Sequence, residues 1–223
     1  MGDTATKPEV APAGMDGPIA GIGTLAAGAP LAQVVEQVVA EIVGRGLTRI
    51  LLWGHSAGAA FACATARRLQ ERGVDVARVF LGAQLLGEAA DRRAGVAAPA
   101  GRGDAEIAAA LSGDLGYPGL GELDAPRAEH VGAAYRYDYT SANVYLADAL
   151  DSPPAVRLSA PVTVVVAADD PGTAEFARRH QDWQLLAERV ELHELTGGGH
   201  HFLRTRPAEA AQAVLRATEL LAF

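Results

Sequence analysis

Between Leu31 and Val43 the apolar positions recur at helical spacing. LAQVVEQVVAEIV sets Leu31, Val34, Val35, Val38, Val39 and Ile42 on one stripe, which predicts an amphipathic helix, and Gly44 and Gly46 end it. The period then changes. TRILLW, from Thr48 to Trp53, is a short apolar run suited to a strand buried on both faces, and Ala57 to Arg72 reads as a helix that Gly73 stops. Val79 to Leu81, with its neighbours, is the next strand. Further on, PVTVVVA predicts a strand over Val162–Ala167, Ala174–Ala187 a helix, and Val190–Leu195 a strand with alternating faces. Pro207 stands where the first turn of a helix tolerates proline, and this last helix is expected to run to about Leu221.

Strands alternating with helices imply a mostly parallel sheet flanked by helices on both faces. The alternation breaks over 84–157, where the Gly/Pro-rich stretches AAPAGRGD and LGYPGLGELD surround two helical pieces, near Ala105–Leu111 and Pro126–Ala149. That segment is expected to cap one end of the sheet. The chain shows no internal repeat and no second core, so residues 1–223 are read as one domain, with residues 1–16 as a flexible leader. GIGTLA, from Gly21 to Ala26, formally matches a dinucleotide-binding GxGxxA turn, but no strand of β-branched residues precedes it, and it is read as loop.

At 223 residues the chain is long enough for a sizeable core, and 49% apolar with 21% charged residues is ordinary for a soluble globular protein. A formal charge of −8 argues against a nucleic-acid binder that tracks phosphates. Cys63 is the single cysteine, so no internal disulfide forms and a reducing compartment is expected. The N-terminus lacks the basic and apolar regions of a signal peptide, and Pro18–Ala32 is too short and too rich in Gly and Ala to span a bilayer. These features predict a cytoplasmic protein with no nucleic-acid or membrane partner, no metal and no cofactor.

Gly54-His55-Ser56-Ala57-Gly58 fits G-x-S-x-G in the context that motif requires, a strand, a sharp turn and a helix. A turn this tight strains the serine backbone, and the flanking glycines let the two elements approach. It presents the Ser56 hydroxyl at the C-terminal edge of the sheet and aims the Ala57 backbone N–H, with the helix N-terminus, at the oxyanion that attack would create. A serine hydroxyl needs a base. TGGGHHFL places His200 and His201 in a Gly-rich loop after a strand, whereas His193 lies on a strand and His130 and His180 on helices. Asp169 and Asp170 follow VVVAA at the end of a strand, where parallel sheets place their chemistry. Asp170, directly before Pro171, is favoured over Asp169 as the acid that orients the imidazole.

WGHSAGAAFACATARRL, VFLGAQL, AADDPGTAEFARRHQDW and VELHELTGGGHHFL together resemble the thioesterases that serve nonribosomal peptide and polyketide synthases, and LDAPRAEHVGAAYRYDYTSANVYL resembles their helical lid. The resemblance extends from about Pro30 to the C-terminus. It implies an α/β-hydrolase fold with residues 84–157 as a lid insertion. It also implies Ser56 attacking a thioester borne by the phosphopantetheine arm of an acyl or peptidyl carrier protein, His200 as general base, directly after the glycines, and Asp170 behind it. The strand after the elbow helix reads VFLGAQLL and has no carboxylate, so the acid is the later one, as in the discrete, hydrolytic type II members of that family. Tyr135, Tyr137, Tyr139 and Tyr145 either shape an acyl pocket or pack the lid.

One departure stands out. The family has more chain before the elbow, beginning with a strand and a Gly-rich loop that supplies a second oxyanion N–H. Here only 55 residues precede Ser56. VAPAG, Val10–Gly14, does not look like that loop, and Met15–Gly23 is the other candidate to supply the donor. Missing N-terminal strands would leave a sheet edge open to pairing with a second copy of the chain. Beside hydrolysis stand two alternatives, a release thioesterase that cyclises or transfers its acyl group, and a non-catalytic binding protein on the same fold.

Overall fold

In a computed structural model of the chain, the described residues are 31–113 and 122–219. Four parallel strands, β1 (Arg49–His55), β2 (Asp75–Gly82), β3 (Val162–Ala167) and β4 (Val190–Leu195), lie side by side in chain order. Side chains alternate across the strands. Val79, Leu81, Val162, Val164 and Val166 face one layer, and Phe80, Val165 and Ala167 face the other. The first layer is built by α1 (Leu31–Gly44), α2 (Gly58–Glu71) and α5 (Ala125–Asp151), with Val39, Ala59, Ala60, Leu69 and Leu146 buried in it. On the opposite face α8 (Pro207–Glu219) contributes Ala210, Ala213 and Ala217, next to Phe202 of the short α7 (Phe202–Thr205). Fully burying side chains of Leu, Val or Phe size contributes about 1.5–3 kcal/mol each, so these two layers hold the strand ends in fixed relation.

Between β2 and β3 the chain leaves the sheet for α3 (Ala89–Ala97), α4 (Asp104–Gly113) and α5. The Asp124 side chain accepts the Arg127 N–H at 3.0 Å and caps α5. Arg136 on α5 donates to Asp104 and to the carbonyls of Pro99 and Arg102, tying the long helix to the segment before it. α3 escapes the sequence pattern because none of its residues is fully buried. Arg92 and Arg93 fasten it instead, through Leu85, Leu86, Asn143 and Asp151.

β2 begins four residues earlier than its apolar run suggests. Arg78 interrupts that run, yet it is 4% exposed, with its guanidinium bonded to Thr163 Oγ1 on β3 and paired with Glu191 on β4. The helix expected over Ala174–Ala187 is instead one α turn, α6 (Phe176–Arg179), followed by a 3-10 segment, His180–Leu185. Trp183 and Leu186 are buried three residues apart, the 3-10 repeat, and the Trp183 indole N–H donates to the Gln84 carbonyl at 3.2 Å. Among the described residues β1 is one edge of the sheet. The leader, GIGTLA, VAPAG and Met15–Gly23 lie outside the described residues.

Candidate active site

All four strands end on the same side, so the segments that follow them converge. The turn after β1 is the tightest. Ser56 has φ +53°, a left-handed conformation rare for a residue with a side chain, and strain of this kind persists only where the surroundings fix it. Here its N–H donates to the Gly82 carbonyl at the end of β2, at 2.8 Å. A Cβ at Gly54 would overlap the Gly58 carbonyl and come within 2.7 Å of Ala62 Cβ. Gly54→Ala is therefore expected to lower stability by about 1–3 kcal/mol, the range for forcing atoms into a packed interior, and a fall in the urea midpoint at unchanged slope would report it. The turn delivers Ala57 into the first turn of α2, whose N–H groups carry the positive end of the helix dipole.

The Ser56 hydroxyl lies 2.9 Å from His200 Nε2, and His200 Nδ1 lies 3.2 Å from Asp170 Oδ2. Asp170 is 2% exposed and also accepts the Gly172 N–H at 2.9 Å. Burial works against its ionisation, but the bonds from His200 and Gly172 outweigh it and hold its carboxyl below the usual range. A carboxylate at Nδ1 fixes the ring with Nδ1 protonated and the Nε2 lone pair facing the hydroxyl. Asp169 turns the other way. Its two oxygens accept the N–H groups of Gly199 at 2.7 Å and Gly198 at 3.2 Å, and those bonds hold it below the usual carboxylate range. Gly199 has φ +64°, which a glycine adopts at little cost.

His55, beside Ser56 in sequence, is half-buried, and its Nε2 lies 2.7 Å from the His200 carbonyl oxygen. A carbonyl only accepts, so Nε2 carries the proton. Burial pushes the His55 pKa down from the ordinary 6.5 to about 4. The sign follows from proton uptake. Below pH 6.5 the unfolded chain binds a proton that the folded chain refuses, so stability falls with pH until about 4, where the folded state titrates too. A shift of this size is worth about 3 kcal/mol. Urea midpoints at about pH 7 and pH 5 should differ clearly in the wild type and by less in His55→Gln.

The remaining sequence candidates lie apart from this cluster. His180 Nδ1 donates to the Phe176 carbonyl within its own helical turn, and burial, with Arg216 nearby, lowers the His193 pKa on β4. His201 stacks edge-on against His200, ring centres 5.1 Å apart. Burial pushes the Cys63 thiol up to about 11, so it is no thiolate nucleophile.

A cavity of about 340 Å³ opens beside the cluster, lined by Gln84, Leu85, Arg92, Tyr139, Asn143 and Gly172 among others. Gly172 in its wall donates its N–H to Asp170, and neither Ser56 nor His200 is among the lining residues. Tyr139 lines it with Tyr135 stacked behind, ring centres 5.7 Å apart, whereas the Tyr145 hydroxyl points at Cys63 Sγ and packs α5 on α2. Gln84, Arg92 and Gly172 carried no sequence signal, because the cavity brings together segments that follow β2 and β3 with the helices between them. Among the described residues no helix is long and apolar enough to cross a membrane, and no group of His, Cys, Asp or Glu is arranged to hold a metal ion.

Similar arrangements of the chain occur in solved structures. The type II thioesterase BorB from the borrelidin biosynthetic cluster superposes with a TM-score of 0.67 at 21% identity, over 84% of this chain and 73% of that one. Human thioesterase 2 gives 0.62 at 19% identity, over 86% and 83%. The RedJ thioesterase from the prodiginine pathway of Streptomyces coelicolor gives 0.53 at 24%, over 85% and 68%. Identities this low speak to the fold. Among curated proteins no sequence matches significantly. A model of the alpha/beta hydrolase family matches residues 10–213, most of the sequence, and the chain belongs to that family.

Proposed function

We propose that the protein is a serine thioesterase that hydrolyses acyl groups from the phosphopantetheine arm of a carrier protein, through an acyl-enzyme on Ser56. The observation that carries this reading is the pair of contacts at His200, 2.9 Å to the Ser56 hydroxyl and 3.2 Å to Asp170. His200 Nε2 takes the hydroxyl proton as Oγ bonds to the thioester carbon. The Ala57 N–H faces the oxygen that becomes negative, a term worth about 3–4 kcal/mol per donor. Collapse of the adduct breaks the C–S bond, and the imidazolium returns its proton to the departing sulfur. Water then attacks the ester, giving one proton to Nε2, and Oγ recovers that proton as the acid leaves. The thiol arm belongs to the substrate, and the chemistry needs no cofactor.

Thioester rather than ester specificity is supported by the sequence resemblance and by the fold likeness to BorB, which is a type II thioesterase. The cavity with Tyr139 and Gly172 in its wall, Gly172 being bonded to Asp170, is the space we assign to the far end of the acyl group. The test is thiol release from acyl N-acetylcysteamine thioesters of graded length by the purified chain. Multiple turnovers support the reading, and release no faster than the buffer background sinks it.

A further inference from the structure

The proposed base stands at the end of a run of three glycines, Gly197-Gly198-Gly199, a segment with little stiffness of its own. Proton transfer tolerates little looseness, since a misplacement of about 1 Å is worth roughly 100-fold in rate. Three side chains bond to the backbone of this loop: Thr205 Oγ1 donates to the Gly198 carbonyl at 2.7 Å, and the other two come from the strand ends that carry Asp170 and Ser56. Asp169 accepts the Gly198 and Gly199 N–H groups, and His55 donates its Nε2–H to the carbonyl of His200 itself. The first immediately precedes Asp170 and the second immediately precedes Ser56.

We propose that His55 and Asp169 are positioning residues for His200: each sits directly before one member of the Ser56–Asp170 pair and clamps the loop that carries the third. The proposal rests on the assignment of Ser56, Asp170 and His200 above. Its consequence is that the turns bearing nucleophile and acid carry the imidazole with them when they move, so the three groups stay in register although they come from three strand ends. As mere filling, an imidazole at position 55 is a poor choice. Its Nδ1 is buried without a hydrogen-bond partner among the described residues, which is unfavourable, while a phenyl ring would make the same edge contact with Phe202, 4.9 Å away. Being neutral, it also places no charge beside the imidazolium that forms during the reaction.

The test uses side chains of different reach. Glutamine at position 55 sets its amide N–H about where Nε2 stands, and asparagine falls one bond short. Labelling of Ser56 by a fluorophosphonate probe reports the nucleophile without any thioester. His55→Gln should label within about threefold of the wild type, and His55→Asn about 10–100-fold more slowly. Asp169→Ala should slow labelling about tenfold, and it tests the same loop if His55→Asn does not fold. A wild-type rate in Asp169→Ala, or equal rates in the Gln and Asn variants, would overturn the clamp. A wild type that labels but cleaves no thioester defeats only the thioester reading, whereas one that never labels defeats the Ser56 assignment and the clamp together.

Discussion

Ser56→Ala should reduce thiol release by at least about 10⁴-fold while leaving the fold intact. The size follows from what the hydroxyl does. Without Oγ no acyl-enzyme forms, and what survives is the modest acceleration that oxyanion contacts and binding give to direct attack by water. The fold should tolerate the change because alanine meets the same backbone demand as serine at φ +53°, and the N–H that donates to Gly82 is untouched. Unfolding midpoints of the two proteins should therefore agree closely. Mass spectrometry of a quenched reaction adds an independent arm. The wild type should carry the acyl mass on the peptide containing Ser56, and the variant none. Rates within tenfold of each other would remove Ser56 from the mechanism.

The parts of this site legible in the sequence are those where one local pattern dictates one local geometry. An apolar run, Gly54, a small residue and a helical stripe leave few ways to build the turn at Ser56, and the elements on either side fall within two residues of expectation. Three glycines after an alternating strand likewise marked the loop of His200. Where burial depended on partners far along the chain, the pattern misled. Arg78 stands just before the apolar run Val79–Leu81, yet it lies inside β2 because Thr163 and Glu191, on two other strands, receive its guanidinium. α3 has no buried stripe to announce it, and the helix expected over Ala174–Ala187 gives way after α6 to a 3-10 segment in which Trp183 is buried and bonded to the Gln84 carbonyl. The same logic explains His55. Its role is invisible in GHSAG, since its hydrogen-bond acceptor is the backbone of a residue 145 positions away.

Adjacent acids were the hardest case, and Asp170→Asn against Asp169→Asn is the comparison that separates them. Both follow β3, and nothing local distinguishes two aspartates in a row. Orientation does. Asp170 is 2% exposed and bonded to His200 Nδ1, whereas Asp169 reaches two backbone N–H groups at the surface. Asparagine at position 170 presents an amide N–H to Nδ1, which drives the ring proton to Nε2. The imidazole then offers a donor to Ser56 where the reaction needs an acceptor, and the expected loss is about 10⁴-fold in kcat. The fold should survive, because the amide oxygen still accepts the Gly172 N–H. Asparagine at position 169 keeps one acceptor oxygen for the glycine loop and leaves the tautomer of His200 alone, so its loss should stay below about tenfold. Comparable losses in the two variants would mean that the carboxylate behind His200 is not Asp170 alone. A large loss at position 169 with little at 170 would exchange their roles. The contrast is informative because the two changes are chemically identical and one residue apart, leaving direction of the side chain as the variable that differs.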